Sequence, residues 1–264
     1  MNSRINKIFF DKKKKLVTFV TGGDPDKATS QDILETIINN GADILEIGMP
    51  FSDPMADGPT IQLSSNRAIK NGANLETIFD ICINIRKDNN LIPIILMGYY
   101  NIILHYGLEK FVKKCSSIGI DGLIIVDLQP EEDSELFKLL NSKNIDLIRL
   151  ITPNTTDKRI QIISNNSSGF LYYVTITGIT GRGSADINKL KSSIKNIKKY
   201  SNLPIMAGFG INTKEQISEI CKLADGAVVG SSIIKIIEEK INQKNEMLKS
   251  LGSFIEELKS GTKI

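Results

Sequence analysis

The six residues Asp43-Ile44-Leu45-Glu46-Ile47-Gly48 are apolar except at two positions and end in glycine, and they read as a buried strand. Side chains alternate across a strand, so Leu45 and Ile47 share one face while Ile44, Glu46 and Gly48 share the other. Working outward, runs of this kind recur at Leu16–Thr21, Pro93–Met97, Gly122–Val126, Asp146–Leu150, Gly169–Val174, Leu203–Gly208 and Gly226–Val229. Helical patterns separate them, among them Ala28–Asn39, Leu75–Arg86, Leu108–Ser117, Glu131–Asn141, Lys189–Lys198, Lys214–Leu223 and Ile233–Lys240. Asn212-Thr213 ahead of Glu215 is a helix-start signal. Eight βα units leave a closed (β/α)8 barrel or an open doubly wound sheet. Eight strands close a barrel, and no Gly-x-Gly-x-x-Gly follows the first strand as a dinucleotide-binding sheet would require. The expectation is an α/β, single TIM-barrel domain over residues 1–264, with an extra helix near Ser3–Phe10 and another after strand 2.

The size agrees, since 264 residues match a barrel of about 250. With 33 basic and 30 acidic residues the net charge is only +3 and is spread along the chain, so nucleic acid is not indicated. Lys12 to Lys15 form an isolated basic run, read as a solvated lead-in to the first strand. Cys82, Cys115 and Cys221 are far apart and odd in number, which argues against a disulfide framework or a cysteine metal site. Buried free thiols in a reducing compartment are expected. No apolar run reaches transmembrane length and the N-terminal segment does not read as a signal peptide, so a cytoplasmic protein is expected. The one histidine, His105, follows Ile102-Ile103-Leu104 and reads as structural. Chemistry then falls to carboxylates, hydroxyls, backbone amides, Lys or Arg.

Barrel ligands sit at the C-terminal ends of the strands. Glu46 lies near such an end, on the inward face. The following loop carries Pro50, Asp53, Pro54, Asp57 and Pro59. Prolines fix φ and can hold such acids in set positions. A carboxylate aimed into a barrel mouth is costly unless used or paired; the alternative is a solvated strand-end acid. Three glycine-rich turns lie where a barrel places an anion: Gly178-Ile179-Thr180-Gly181-Arg182-Gly183, Gly208-Phe209-Gly210 and Gly230-Ser231-Ser232. Glycine admits close approach of backbone N–H groups, and the helix opening near Ser231 adds its positive end. A phosphorylated substrate is expected, with the polar connection from Thr175 to about Ile187 as a loop able to close over it.

The segment Leu45–Gln62 with Arg67-Ala68 resembles the signature of the tryptophan synthase alpha chain family. The likeness continues through Phe19–Pro25, Tyr99-Tyr100-Asn101, Asp121–Leu128, Tyr172–Gly181, Gly208–Ile211 and Asp225–Ser231. It implies a lyase that cleaves indole-3-glycerol phosphate reversibly to indole and glyceraldehyde 3-phosphate. The family's two catalytic carboxylates fall on Glu46 and Asp57. Glu46, in an apolar mouth, should have its pKa raised toward neutrality, and Asp57, on a wetter loop, should stay ionised beside the indole N–H. The resemblance puts phosphate on Gly181, Gly210, Gly230 and Ser231, and indole among Phe19, Ile124, Val126, Leu150, Tyr172 and Phe209. Thr180 would help close the strand 6 loop against the active-site acid. Pro50 and Asp53 would face a beta chain in an α2β2 complex, joined by an indole tunnel. Pyridoxal phosphate would belong to that partner; no cofactor or metal is expected here. Gln129 stands where the family commonly has proline, and Met206-Ala207 where valine is more usual. Other phosphate-binding barrels, such as sugar-phosphate isomerases, or a regulatory barrel subunit remain the alternatives at this point.

Overall fold

The computed structural model describes residues 3–174, 183–208 and 210–264, with the backbone alone for 183–186. Eight parallel strands close into a barrel in sequence order: β1 (Lys15–Thr21), β2 (Ile44–Gly48), β3 (Ile94–Gly98), β4 (Gly122–Ile125), β5 (Asp146–Ile151), β6 (Leu171–Val174), β7 (Ile205–Gly208) and β8 (Gly226–Val229). Closure is made by β8 against β1, with Gly226 beside Lys15 and Val228 beside Val17. Glu46 pairs in register with Phe19 on one side and Ile95 on the other.

The helices are α1 (Arg4–Ile8), α2 (Lys27–Asn39), α3 (Pro59–Lys70), α4 (Leu75–Asp88), α5 (Tyr100–Tyr106), α6 (Leu108–Ile118), α7 (Ser134–Ser142), α8 (Asp157–Asn165), α9 (Gly183–Ile197), α10 (Lys214–Cys221), α11 (Ser231–Glu239) and α12 (Lys244–Ser260). Local chemistry starts several of them. Asp26 caps α2 by accepting from the Thr29 N–H at 2.9 Å, and Thr213 with Gln216 forms a capping box on α10. No helix among the described residues is long and apolar enough to cross a membrane.

Alternation along the strands divides the apolar core into two layers. Leu45, Ile47, Leu96 and Leu123 pack outward on the helices. Val17, Ile44, Ile95, Ile124, Ile148, Met206 and Val228 fill the barrel interior. The lower end is plugged by α1: Ile5 is fully buried, and Phe9 meets Phe170 edge-on at 6.3 Å. The two extra helices expected from the sequence are α1 and α3.

Three elements differ at their ends from what the sequence leads one to expect. The helix expected from Glu131 starts at Ser134, because Asp133 turns inward to pair with the buried guanidinium of Arg149. The helix expected from Lys189 starts six residues earlier, at Gly183. Strand β4 ends at Ile125, one residue short, so Val126 lies in the turn beyond it.

Candidate active site

At the upper end of the barrel, where the strands finish, a cavity of about 120 Å3 is lined by both Glu46 and Asp57. Glu46 is only 1% exposed, and its Oε2 has no hydrogen-bond partner. Burial, reinforced by the charge of Asp57, raises its carboxyl to about 8. Such a group holds its proton at neutral pH and exchanges it readily.

Asp57 reaches the same cavity from the loop between β2 and α3. Its carboxyl is also raised by burial, opposed by a hydrogen bond that Tyr99 Oη donates to Oδ2 at 3.0 Å. It is half-buried, so its surroundings are drier than a plain surface loop. The loop is tied down independently. The Phe51 N–H donates to Ser65 Oγ at 2.8 Å, and Ser65 Oγ donates back to the Phe51 carbonyl at 3.1 Å. Pro50 is half-buried in this loop, whereas Asp53 is exposed on it and Met55 is 84% exposed.

The apolar wall combines Phe19, Val126, Leu150 and Tyr172. Burial and the nearby Glu46 charge push the Tyr172 phenol well up. Ile124 does not line this cavity. It is fully buried one layer below, in the barrel interior, because two residues along a strand separate it from Val126 in height as well as sharing a face. Met97, Ile61 and Ile211 complete the wall. Met97 shares the inward face of β3 with Ile95, whereas Ile61 and Ile211 arrive from flanking segments that strand alternation does not mark.

Gly210, Gly230 and Ser231 line the same cavity. Gly210 has φ +68°, a left-handed conformation that suits glycine. Gly230 precedes α11 and offers no side chain to cap it, so the N-terminal end of that helix has no side-chain cap. A Cβ at position 230 would lie 3.1 Å from Phe19 Cβ, so packing against Phe19 keeps this position glycine-sized. Thr180, Gly181 and Phe209 lie outside the described residues, as does most of the connection after β6.

Several motif residues hold the scaffold together and take no part in the cavity. Asp24 and Arg67 form a two-pronged ion pair, at 3.0 and 2.9 Å, which ties the segment after β1 to α3. Asp127 accepts from the Tyr100 N–H at 2.8 Å and so caps α5. Gln129, where proline is common, accepts a hydrogen bond from Arg159. His105 is exposed on α5. Tyr99, which donates to the Asp57 carboxylate, is a residue to which the sequence alone assigned no role. Its signal was its place just past the end of β3, in a quoted motif.

Larger hollows of about 560 and 570 Å3 lie at the other end of the barrel, beside Lys12–Lys14 and beside Arg4. They sit at the strand starts and contain neither of the two acids. Among the described residues no group of three metal-binding side chains gathers.

Residues 6–263 match the family model for the tryptophan synthase alpha chain. A curated alpha chain from Geobacter sp. (strain M21) is 45% identical over 249 residues, covering 94% of this chain and 92% of the relative. The crystal structure of tryptophan synthase subunit alpha from Legionella pneumophila str. Paris superposes with a TM-score of 0.91 at 33% identity, covering 99% of both chains. A chain of the tryptophan synthase complex from Pyrococcus furiosus does so with a TM-score of 0.84 at 34% identity, covering 93% of this chain and 98% of that one. With the closed barrel, the paired acids and the glycine turns already in place, these likenesses make this chain a member of the tryptophan synthase alpha chain family.

Proposed function

We propose that Glu46 and Asp57 are the acid–base pair with which this chain performs its family's reaction. That reaction is the reversible retro-aldol cleavage of indole-3-glycerol phosphate to indole and glyceraldehyde 3-phosphate, a carbon–carbon lyase step in tryptophan biosynthesis. The observation that carries the assignment is the buried Glu46 carboxyl, with an unpartnered oxygen, facing a cavity that it shares with Asp57.

The proton traffic closes on these two groups. Protonated Glu46 gives its proton to indole C3, and positive charge develops toward the ring nitrogen. The Asp57 carboxylate accepts a hydrogen bond from the indole N–H and stabilises that charge. Glu46, now a carboxylate, takes the proton of the glycerol hydroxyl next to the C3 substituent bond. The C–C electron pair returns to the ring, indole leaves, and Glu46 regains its starting form. The apolar wall of Phe19, Val126, Leu150 and Tyr172 holds the ring, with Ile124 beneath it. Phosphate rests on Gly210, Gly230 and Ser231, with Gly181, Thr180 and Phe209 completing the enclosure.

The chain works with a beta chain in an α2β2 heterotetramer; pyridoxal phosphate belongs to that partner, and this chain needs no cofactor of its own. The exposed Asp53 and Met55 and the adjacent Pro50 form the partner-facing loop, and indole passes to the beta chain from there. Residues 1–264 act as one barrel domain, a reading supported by the match over 6–263 and by α12 packing against α2 and α11. The enzyme works in the cytoplasm, in keeping with three buried free thiols at Cys82, Cys115 and Cys221. Neither a sugar-phosphate isomerase nor a regulatory barrel without catalysis has an observation in its favour.

Indole release from indole-3-glycerol phosphate, by the chain alone and with its beta chain, tests the assignment. Asp57→Asn and Glu46→Gln variants that fold normally should lose most of it. Near-native cleavage by either would remove that residue from the mechanism.

A further inference from the structure

Tyr99 follows β3 and is 3% exposed, yet its hydroxyl is fully engaged at the edge of the active site. Tyr99 Oη donates to Asp57 Oδ2 at 3.0 Å and accepts from the Ala56 N–H, also at 3.0 Å. One hydroxyl thus grips both the side chain of Asp57 and the peptide just before it. The ring is stacked on Phe51, with centroids 5.1 Å apart and planes 29° from parallel. Behind Asp57 the same ring borders a small hollow of about 20 Å3, shared with Met49, Phe51 and Met97. A carboxylate on a loop between two hollows needs something to choose its rotamer. Nothing else among the described residues donates a side-chain hydrogen bond to it.

We infer that Tyr99 is a positioning residue: its hydroxyl holds the Asp57 carboxylate toward the indole-binding cavity, and its ring, clasped by Phe51, holds the partner-facing loop that carries it. This rests on the reading of Asp57 as the group beside the indole N–H. A hydroxyl that donates to a carboxylate stabilises the ionised form, the form that reading requires. The phenol can serve as a lasting donor because burial and the nearby carboxylates push its own ionisation far above neutral pH. Charged and titratable groups around the pair are few. Glu46 faces Asp57 from β2, Asp127 acts on Tyr99 from the turn after β4, and Asp53 on the same loop is exposed.

The sign of the effect can be worked out. Burial raises the Asp57 carboxyl and the Tyr99 hydrogen bond lowers it. Removing that hydrogen bond leaves the burial effect unopposed, so Asp57 protonates at a higher pH. Activity that needs ionised Asp57 is lost as pH falls through that value. The acid limb of the rate profile therefore moves up.

The test is Tyr99→Phe, which keeps the ring and its stack, assayed for indole release in the complex with the beta chain across pH. The expected result is a kcat lower by roughly tenfold, the equivalent of one hydrogen bond to a charged group, with KM little changed and the acid limb displaced to higher pH. In an Asp57→Asn background the same substitution should cost much less and displace no acid limb, since the hydroxyl would have no carboxylate whose ionisation it favours. An acid limb that stays in place in Tyr99→Phe, while Asp57→Asn is inactive, overturns the role of Tyr99 alone. Near-native cleavage by Asp57→Asn overturns the reading of Asp57 on which that role rests. Thermal unfolding of Tyr99→Phe close to that of the parent separates positioning from loss of fold; a collapse of stability with no displaced limb in the remaining activity counts against the role.

Discussion

Two buried carboxylates at opposite ends of this barrel, Asp121 and Glu46, have opposite surroundings. At the lower end Asp121 is 4% exposed and surrounded by donors. It takes 2.9 Å from Arg4 Nη1, 2.7 Å from Arg86 Nη2 and 2.9 Å from the Ile94 N–H. Asp146 beside it accepts from Ser3 Oγ at 2.7 Å. At the upper end Glu46 is 1% exposed, and one of its oxygens has no donor. Arginine and backbone amides turn an acid into a structural pin. Withholding them leaves the acid protonated near neutrality and available for chemistry. The difference lies in what surrounds the group, since burial is nearly the same.

The sharpest way to break that contrast is Glu46→Gln. Loss of a general acid–base group should lower cleavage by about 10^2 to 10^4-fold, measured as indole released. The fold should be kept, because the amide is uncharged. At the lower end the pattern should invert. Asp121→Ala leaves Arg86 buried without its carboxylate and should cost about 3–5 kcal/mol of stability in denaturant unfolding. The cleavage rate per folded molecule should hardly change. If Asp121→Ala proved catalytically dead while fully stable, the division of labour between these two acids would fail.

A pH series sharpens the comparison at lower amplitude. The unfolded chain ionises Glu46 near 4.5, whereas the folded protein keeps the proton until about 8. Between those values the folded state binds more protons, so this group's contribution to stability falls as pH rises and levels off above the folded value. The slope from one such group is about 1.4 kcal/mol per pH unit. Glu46→Gln should flatten that part of the curve, and an unchanged slope would show that Glu46 ionises normally. The smallest effect expected is from Ser3→Ala, which removes the α1 cap on the Asn6 N–H and the bond to Asp146. It should cost about 1 kcal/mol in thermal or denaturant unfolding, with no change in cleavage.

Much of the barrel was legible before any coordinates. Gly226–Val229 was read to the residue, and the other strands to within two at each end, because strand patterning is a local signal. Alternation alone put Glu46 on one face with Ile44 and Gly48, inward if Leu45 and Ile47 pack on the helices, as they do. The helix start at Ser134 was not legible, since the residue that shortens it, Arg149, lies on the next strand. Nor was the depth of Ile124, which depends on where along the barrel the cavity floor lies. The anchoring of Asp57 by Tyr99 joins residues 42 apart, and no pattern within either segment announces it.

Periodicity, glycine turns and a proline-stiffened loop are properties of neighbouring residues, so the sequence by itself determined a closed barrel with acids and glycine-rich turns at one rim. Whether each carboxylate is paired or left bare depends on partners brought from distant segments, such as Arg4 reaching Asp121 across 117 positions. Only the tertiary structure decides that, because desolvation and hydrogen bonding act through space, and they set which acid is a pin and which can move a proton.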